Sequence, residues 1–135
     1  MSYPLTDIEG LTRECAAMLK SQGIRSTEAL IEVARTVRGR KSLAKRTGIA
    51  EKQLLCWVNM ADCMRVRGIS KEYADLLHAA GVDTLRELKY RNPSNLVSAM
   101  ADANKRRKLV RLLPSEKVVV GWIDHAKKLP LKITY

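Results

Sequence analysis

Residues 66–85 read VRGISKEYADLLHAAGVDTL. An apolar residue, Val66, is followed by Arg67, Gly68, Ile69 and Ser70, and then by Tyr73, Ala74, Leu76, Leu77 and Ala80 at the three- and four-residue spacings of one helix face. Gly68 stands where a chain reversing tightly needs a positive φ at little cost. The small Ala74, the seventh place counting from Gly68, allows a neighbouring helix to approach. TLRE at residues 84–87 is a capping-box pattern, which opens another helix. The stretch therefore predicts a helix, a tight turn and further helices, with no strand.

The same text occurs earlier in the chain. Displaced by 58 residues, IEGLTRECAAMLKSQGIRSTEALI (residues 8–31) falls on residues 66–89 without a gap, and six pairs are identical: Gly10/Gly68, Glu14/Glu72, Ala16/Ala74, Leu19/Leu77, Gly23/Gly81 and Leu30/Leu88. Displaced by 65, EKQLLCWVNMADCM (residues 51–64) falls on EKVVVGWIDHAKKL and pairs Trp57 with Trp122. The second copy thus carries seven extra residues, most simply around residues 91–104. A repeat of this length predicts two stacked supersecondary units. The expected fold is all-α, two tandem subdomains at residues 1–64 and 65–135 packed into one compact unit, with about nine short helices and connections of two to five residues. NPSN at residues 92–95 reads as a break followed by a helix with Pro at its first position. VVV at residues 118–120 has strand composition, but its pairing with residues 53–55 makes it helix.

Composition bounds the function. The 135 residues, 46% hydrophobic and 29% charged, suit a globular chain with a core of its own. That core must be built without Phe. A net charge of +11, from 25 basic and 14 acidic residues, favours a polyanionic partner, nucleic acid before an anionic membrane. The first ten residues hold neither a basic leader nor an apolar run, and no run reaches the ~18 apolar residues of a membrane span. A cytoplasmic protein with no membrane partner is expected. Cys15, Cys56 and Cys63 form no CxxC pair and no even framework, so free thiols, buried or half-buried in helices, are expected. No nucleophile with a base, paired carboxylates, phosphate loop or metal-ligand spacing is evident, so neither enzyme activity nor a cofactor nor a metal is expected. Trp57 and Trp122, alike in place and apolar in setting, are expected as core anchors.

The residues Val66, Gly68, Ile69, Ala74, Leu77 and Gly81, repeated as Ile8, Gly10, Leu11, Ala16, Leu19 and Gly23, resemble the helix-hairpin-helix motif. The resemblance implies sequence-independent binding in which loop amides and a helix N-terminus face a phosphate. It points to Gly10, Thr12 and Arg13 in the first hairpin and to Arg67, Gly68, Ser70 and Lys71 in the second. DNA-holding examples usually have Gly at the loop's third position, where this chain has Thr12 and Ser70. With the hairpins, the segments GRKSLAKRTGI, LLCWVNMADCMRVRGI and RNPSNL resemble an uncharacterised bacterial family, a domain of unknown function made of paired helix-hairpin-helix units, over residues 5–130.

Two basic clusters pair at the displacement of 65, Arg40 with Lys105 and Lys41 with Arg106, and Arg107 and Lys108 extend the second. Duplicated charge argues for a phosphate backbone, duplex DNA first, contacted without sequence selection. The alternative is a protein-interaction adaptor in which the hairpins are scaffold and a helix face holds a protein partner.

Overall fold

A computed structural model of the protein describes residues 2–135, with eight α-helices, a 3₁₀ turn at Leu5–Asp7 and, among the described residues, no strand. The helices are α1 (Arg13–Ser21), α2 (Thr27–Ala34), α3 (Val37–Thr47), α4 (Glu51–Cys63), α5 (Lys71–Ala79), α6 (Leu85–Lys89), α7 (Pro93–Arg107) and α8 (Glu116–Lys128). Residues 118–120 lie within α8, as their pairing with α4 requires.

Side chains fix most of the helix starts. Thr12, Ser26, Thr36, Thr84, Asn92 and Ser115 each accept a hydrogen bond from an amide three residues on, at 3.0–3.2 Å. Each satisfies a donor that the first turn leaves without a helical partner. Pro93 follows Asn92 at the first position of α7, where its missing N–H costs nothing. α4 starts at Ala50 without such a cap, and α5 starts at Ser70, whose hydroxyl makes no cap bond although the residue type suits one.

Packing follows the order of the chain. α2, α3 and α4 pack on one another, α8 packs on α6 and α7, and α5 packs on α7. α4 reaches α5 and α6, so it is the element through which the earlier helices meet the later ones. The buried apolar side chains form one cluster, which includes Trp57 and Trp122 at 2% and 3% exposure. Both indoles are core, as expected, and neither has a face free for a base. Two connections exceed the expected two to five residues, those at residues 64–70 and 108–115. α7 has 15 residues against 11 in α3, and the 108–115 connection has eight.

The last residues tie the ends together without regular structure. Thr134 N–H donates to Arg35 O at 2.8 Å, the Arg65 guanidinium donates to Pro130 O at 3.0 Å, and Tyr135 O–H donates to Asn59 Oδ1 at 2.8 Å. Lys132 pairs with Glu32 at 3.1 Å. The tail is thereby fastened to α2, to α4 and to the turn that follows α4.

Gly10 and Gly68 both have positive φ, +83° and +93°. A Cβ on Gly68 would lie 3.0 Å from Trp122 Nε1, and one on Gly10 would lie 3.9 Å from Trp57 Nε1. Forcing an L side chain into such a conformation costs about 1–3 kcal/mol, and crowding adds to it only at Gly68. Gly68→Ala and Gly10→Ala are therefore both expected to destabilise, Gly68→Ala the more. Urea unfolding of the two variants checks the order; equal losses would show that the indole contact sets no constraint.

Candidate nucleic-acid interface

The second hairpin is shaped by its own backbone and by α8. After α4, Arg65 N–H donates to Asp62 O at 3.1 Å, Val66 N–H to Cys63 O at 3.2 Å and Ile69 N–H to Val66 O at 3.1 Å. Val66 and Ile69 turn into the core, which leaves Arg67 and Gly68 at the surface. The backbone N–H of Arg67 donates to His125 Nδ1 on α8 at 3.0 Å. A ring nitrogen that accepts carries no proton, so the proton of the neutral imidazole is on Nε2. Between this loop and α8 lies an open cleft of about 550 Å³, bordered by Arg67, Gly68, Gly121, Asp124, His125 and Lys128. At the end of α4, Asp62 and Arg65 form a short ion pair of 2.6 Å. Burial raises the Asp62 carboxyl above the usual range, with Arg65 pulling the other way.

The first hairpin has the same turn with different occupants. Leu11 N–H donates to Ile8 O at 3.1 Å, both side chains are buried and Gly10 is exposed. The Thr12 hydroxyl accepts from the Cys15 amide at 3.2 Å, which engages an amide of the α1 N-terminus. Glu9, at the place Arg67 holds in the second hairpin, pairs with Arg107 at 2.9 Å. This contact seats the C-terminal turn of α7 beside the first hairpin. Asp75 on α5 joins the same group: it holds Lys71 at 3.3 Å and lies within the fields of Glu9 and Arg107.

The expected site residues thus separate. Arg67, Gly68 and Ser70 stand together at the second hairpin beside α8, whereas Lys71 and Arg107 are each held by a carboxylate. Arg13, Lys105, Arg106 and Lys108 are exposed and, among the described residues, pair with no carboxylate. Lys41 is exposed on α3, whose packing is against α2 and α4. Arg40 is the correction. It is 4% exposed, and its guanidinium donates to Ala34 O at 2.9 Å and to Thr134 O at 2.6 Å, so this cation holds the fold together and presents nothing to a surface. Burial lowers its pKa, with Tyr135 and Glu51 opposing.

The three cysteines are free. Cys63 is buried and Cys15 half-buried, but Cys56 is exposed, against expectation, because its position on α4 borders an open hollow with Leu55, Asn59, Met60 and His78. Burial raises the Cys56 thiol, and Asp83 and Glu9 act in the same direction. Among the described residues no three His, Cys, Asp or Glu side chains converge on a point that a metal ion could occupy, and no helix is long and apolar enough to cross a membrane.

His125, Lys128 and Gly121 were absent from the residues the sequence singled out, as were the carboxylates Glu9 and Asp75. A signal existed in the chain's alignment with itself. At the displacement of 65, Gly121 replaces Cys56, His125 replaces Met60 and Lys128 replaces Cys63, and at 58 Arg67 replaces Glu9. The cleft lies where the two aligned segments differ.

A family model described as a domain of unknown function, DUF4332, matches residues 9–129, and the chain belongs to that family. No curated protein and no solved structure matches the chain.

Asp75 yields a pH dependence. Burial holds its carboxyl above the usual range; Lys71 opposes this, Glu9 adds to it and Arg107 opposes it. With the folded pKa above the unfolded value of about 3.9, the folded state binds the proton more tightly. The ionised group therefore opposes folding in full above the folded pKa, and that opposition fades as pH falls from there to about 4. The exposed side of the Lys71 pair adds at most about 1 kcal/mol in return. Asp75→Asn is expected to be more stable than wild type at pH 7, with the gap closing at pH 4 in urea unfolding at both values. A gap that stays constant between the two would show that the carboxylate's charge is not its source.

Proposed function

We propose that this member of the DUF4332 family is a non-enzymatic accessory protein of the cytoplasm that binds nucleic acid without sequence selection, its preferred partner being the backbone of duplex DNA. In this reading the chain is an internal duplication of two helix-hairpin-helix units. Three correspondences support the duplication. α1 and α5 have nine residues each and start 58 positions apart, α4 and α8 have 13 each and start 65 apart, and each hairpin glycine has positive φ and faces the nitrogen edge of an indole.

The observation that carries the binding reading is the state of the charges. Of 25 basic side chains, Arg65, Lys71, Arg91, Arg107 and Lys132 pair with carboxylates among the described residues. Arg13 and Arg67 remain exposed and unpaired at the two hairpins, and Lys105, Arg106 and Lys108 stand beside the first through the Arg107–Glu9 contact. Unpaired cations are the ones that release counterions on meeting phosphates, and that release dominates sequence-independent affinity. The adaptor reading has its own support. Leu112 is 78% exposed, and Leu113, Val118 and Val120 are also exposed, apolar side chains that a protein partner rather than a phosphate would cover.

Fluorescence anisotropy with unrelated duplexes across a salt series separates the two. Three to four phosphate contacts predict a fall in affinity of roughly forty- to a hundred-and-fiftyfold between 50 and 200 mM salt. Reversing Arg67, Lys105 and Arg106 to Glu is expected to weaken every duplex alike and to flatten the slope, with the circular dichroism of the helices unchanged. Absence of binding at low salt, or indifference to the reversal, would leave the adaptor reading in its place.

A further inference from the structure

We infer that the two hairpins are functionally unequal: the cleft between the second hairpin and α8 is a site for one phosphate group, and the first hairpin is closed by its own side chains. The inference rests on the proposed reading only where the phosphate belongs to a nucleic-acid strand; the site itself is argued from the cleft.

The cleft brings nitrogen donors from two elements onto one hollow. Arg67 comes from the loop, and His125 and Lys128 come from α8. The side chains of Arg67 and Lys128 form no ion pair, and Asp124 is the one carboxylate among the bordering residues. His125 is oriented by the Arg67 amide, so its Nε2–H remains a donor. Val118 and the edge of Trp122 complete the lining, Gly68 is exposed, and a Cβ on Gly121 would meet nothing within 4 Å. Gly121 sits in the middle of α8, where Gly costs about 1 kcal/mol relative to Ala. Packing does not exact that cost, since the space for a methyl group is empty.

The positions that pair with these in the first half carry none of this chemistry. Glu9 stands for Arg67, Cys56 for Gly121, Met60 for His125 and Cys63 for Lys128. Glu9 brings a negative charge to the first turn and is held by Arg107. Thr12 engages an α1 amide, while Ser70 leaves the first amides of α5 without a side-chain cap. An anion approaching the first hairpin has Arg13 and the α7 cations nearby but meets a carboxylate in the turn and a capped helix. At the second it meets Arg67, Lys128 and an uncapped one.

Glycine amides report the difference directly, since Gly10, Gly68 and Gly121 give separate nuclear magnetic resonance signals. Titration of the ¹⁵N-labelled protein with inorganic phosphate, at constant ionic strength in chloride, is expected to move Gly68 and Gly121 and to leave Gly10 in place. Arg67→Glu with Lys128→Glu is expected to weaken that response at least tenfold, while Arg13→Glu leaves it unchanged; the glycine pattern without phosphate reports that each variant is folded. Equal movement of Gly10, no movement at any of the three, or a response that survives the double reversal would overturn the inference. Duplex binding by the same proteins separates the two proposals. Wild-type duplex binding that the double reversal leaves intact sinks the cleft as a site for a strand phosphate and spares the nucleic-acid reading. A phosphate response without duplex binding sustains the cleft as a site for a free phosphate compound and sinks the reading.

Discussion

The turns at Gly10 and Gly68 each pass over the edge of an indole, and that contact constrains what surrounds it. Gly68 lies so close to Trp122 that a methyl group there would be crowded, and its φ of +93° is one that side chains avoid. The turn must be glycine for both reasons. Val66 and Ile69 on either side of it are then directed inward, which fixes the entry of α5, and Tyr73 of α5 meets Trp122 with ring centroids 5.2 Å apart. Gly10 and Trp57 repeat the arrangement more loosely, at 3.9 Å. There the indole N–H is buried with no hydrogen-bond partner, a cost on the order of 1–3 kcal/mol that the surrounding apolar contacts offset.

A second constraint acts over the whole length of the chain. A guanidinium taken out of water costs several kcal/mol unless its donors are satisfied. Arg40 meets that condition with one carbonyl six residues away and another 94 residues away. Charge-assisted bonds of this type each return about 1.5–3 kcal/mol. The tail is thus held by a buried cation that would be poorly satisfied without it, and Arg65 and Asn59 extend the same dependence along its length. The fold closes through polar contacts as well as through its core.

The helix starts at Thr84 and Asn92 were legible because their signals are local. A hydroxyl or amide three residues ahead of a free N–H needs no distant partner, and Thr12, Ser26, Thr36, Thr84, Asn92 and Ser115 all behave as residues of their type should. Trp57 and Trp122 were legible from periodicity, which depends only on a helix having one buried face. Arg40 was not, since nothing within RGRK distinguishes the cation whose partners are carbonyls from the two that face water. Glu9 and Asp75 were overlooked for the same reason: they matter through Arg107, which lies 98 residues from Glu9. Ser70 shows the limit even of local signals, for its type predicts a cap and its hydroxyl makes none.

Charge clusters carry less information than their composition promises, because a fold uses cations for its own ends. Lys105, Arg106 and Arg107 occupy the last turn of α7, where positive charge opposes the partial negative charge of the helix C-terminus and is worth about 0.3–1 kcal/mol at the surface. Lys45 and Arg46 do the same at the end of α3. A run such as KRRK therefore has a structural reason to exist whatever it binds. Arg67 has a weaker one, whereas Lys128, in the last turn of α8, shares that reason. Arg67 lies outside any helix, and among the described residues neither side chain is held by a carboxylate. Their paired positions in the first half are filled by Glu9 and Cys63 without loss of the turn. Side chains that the architecture can do without, gathered on an open cleft, are better evidence of a ligand than a longer run of charge that the helix itself requires.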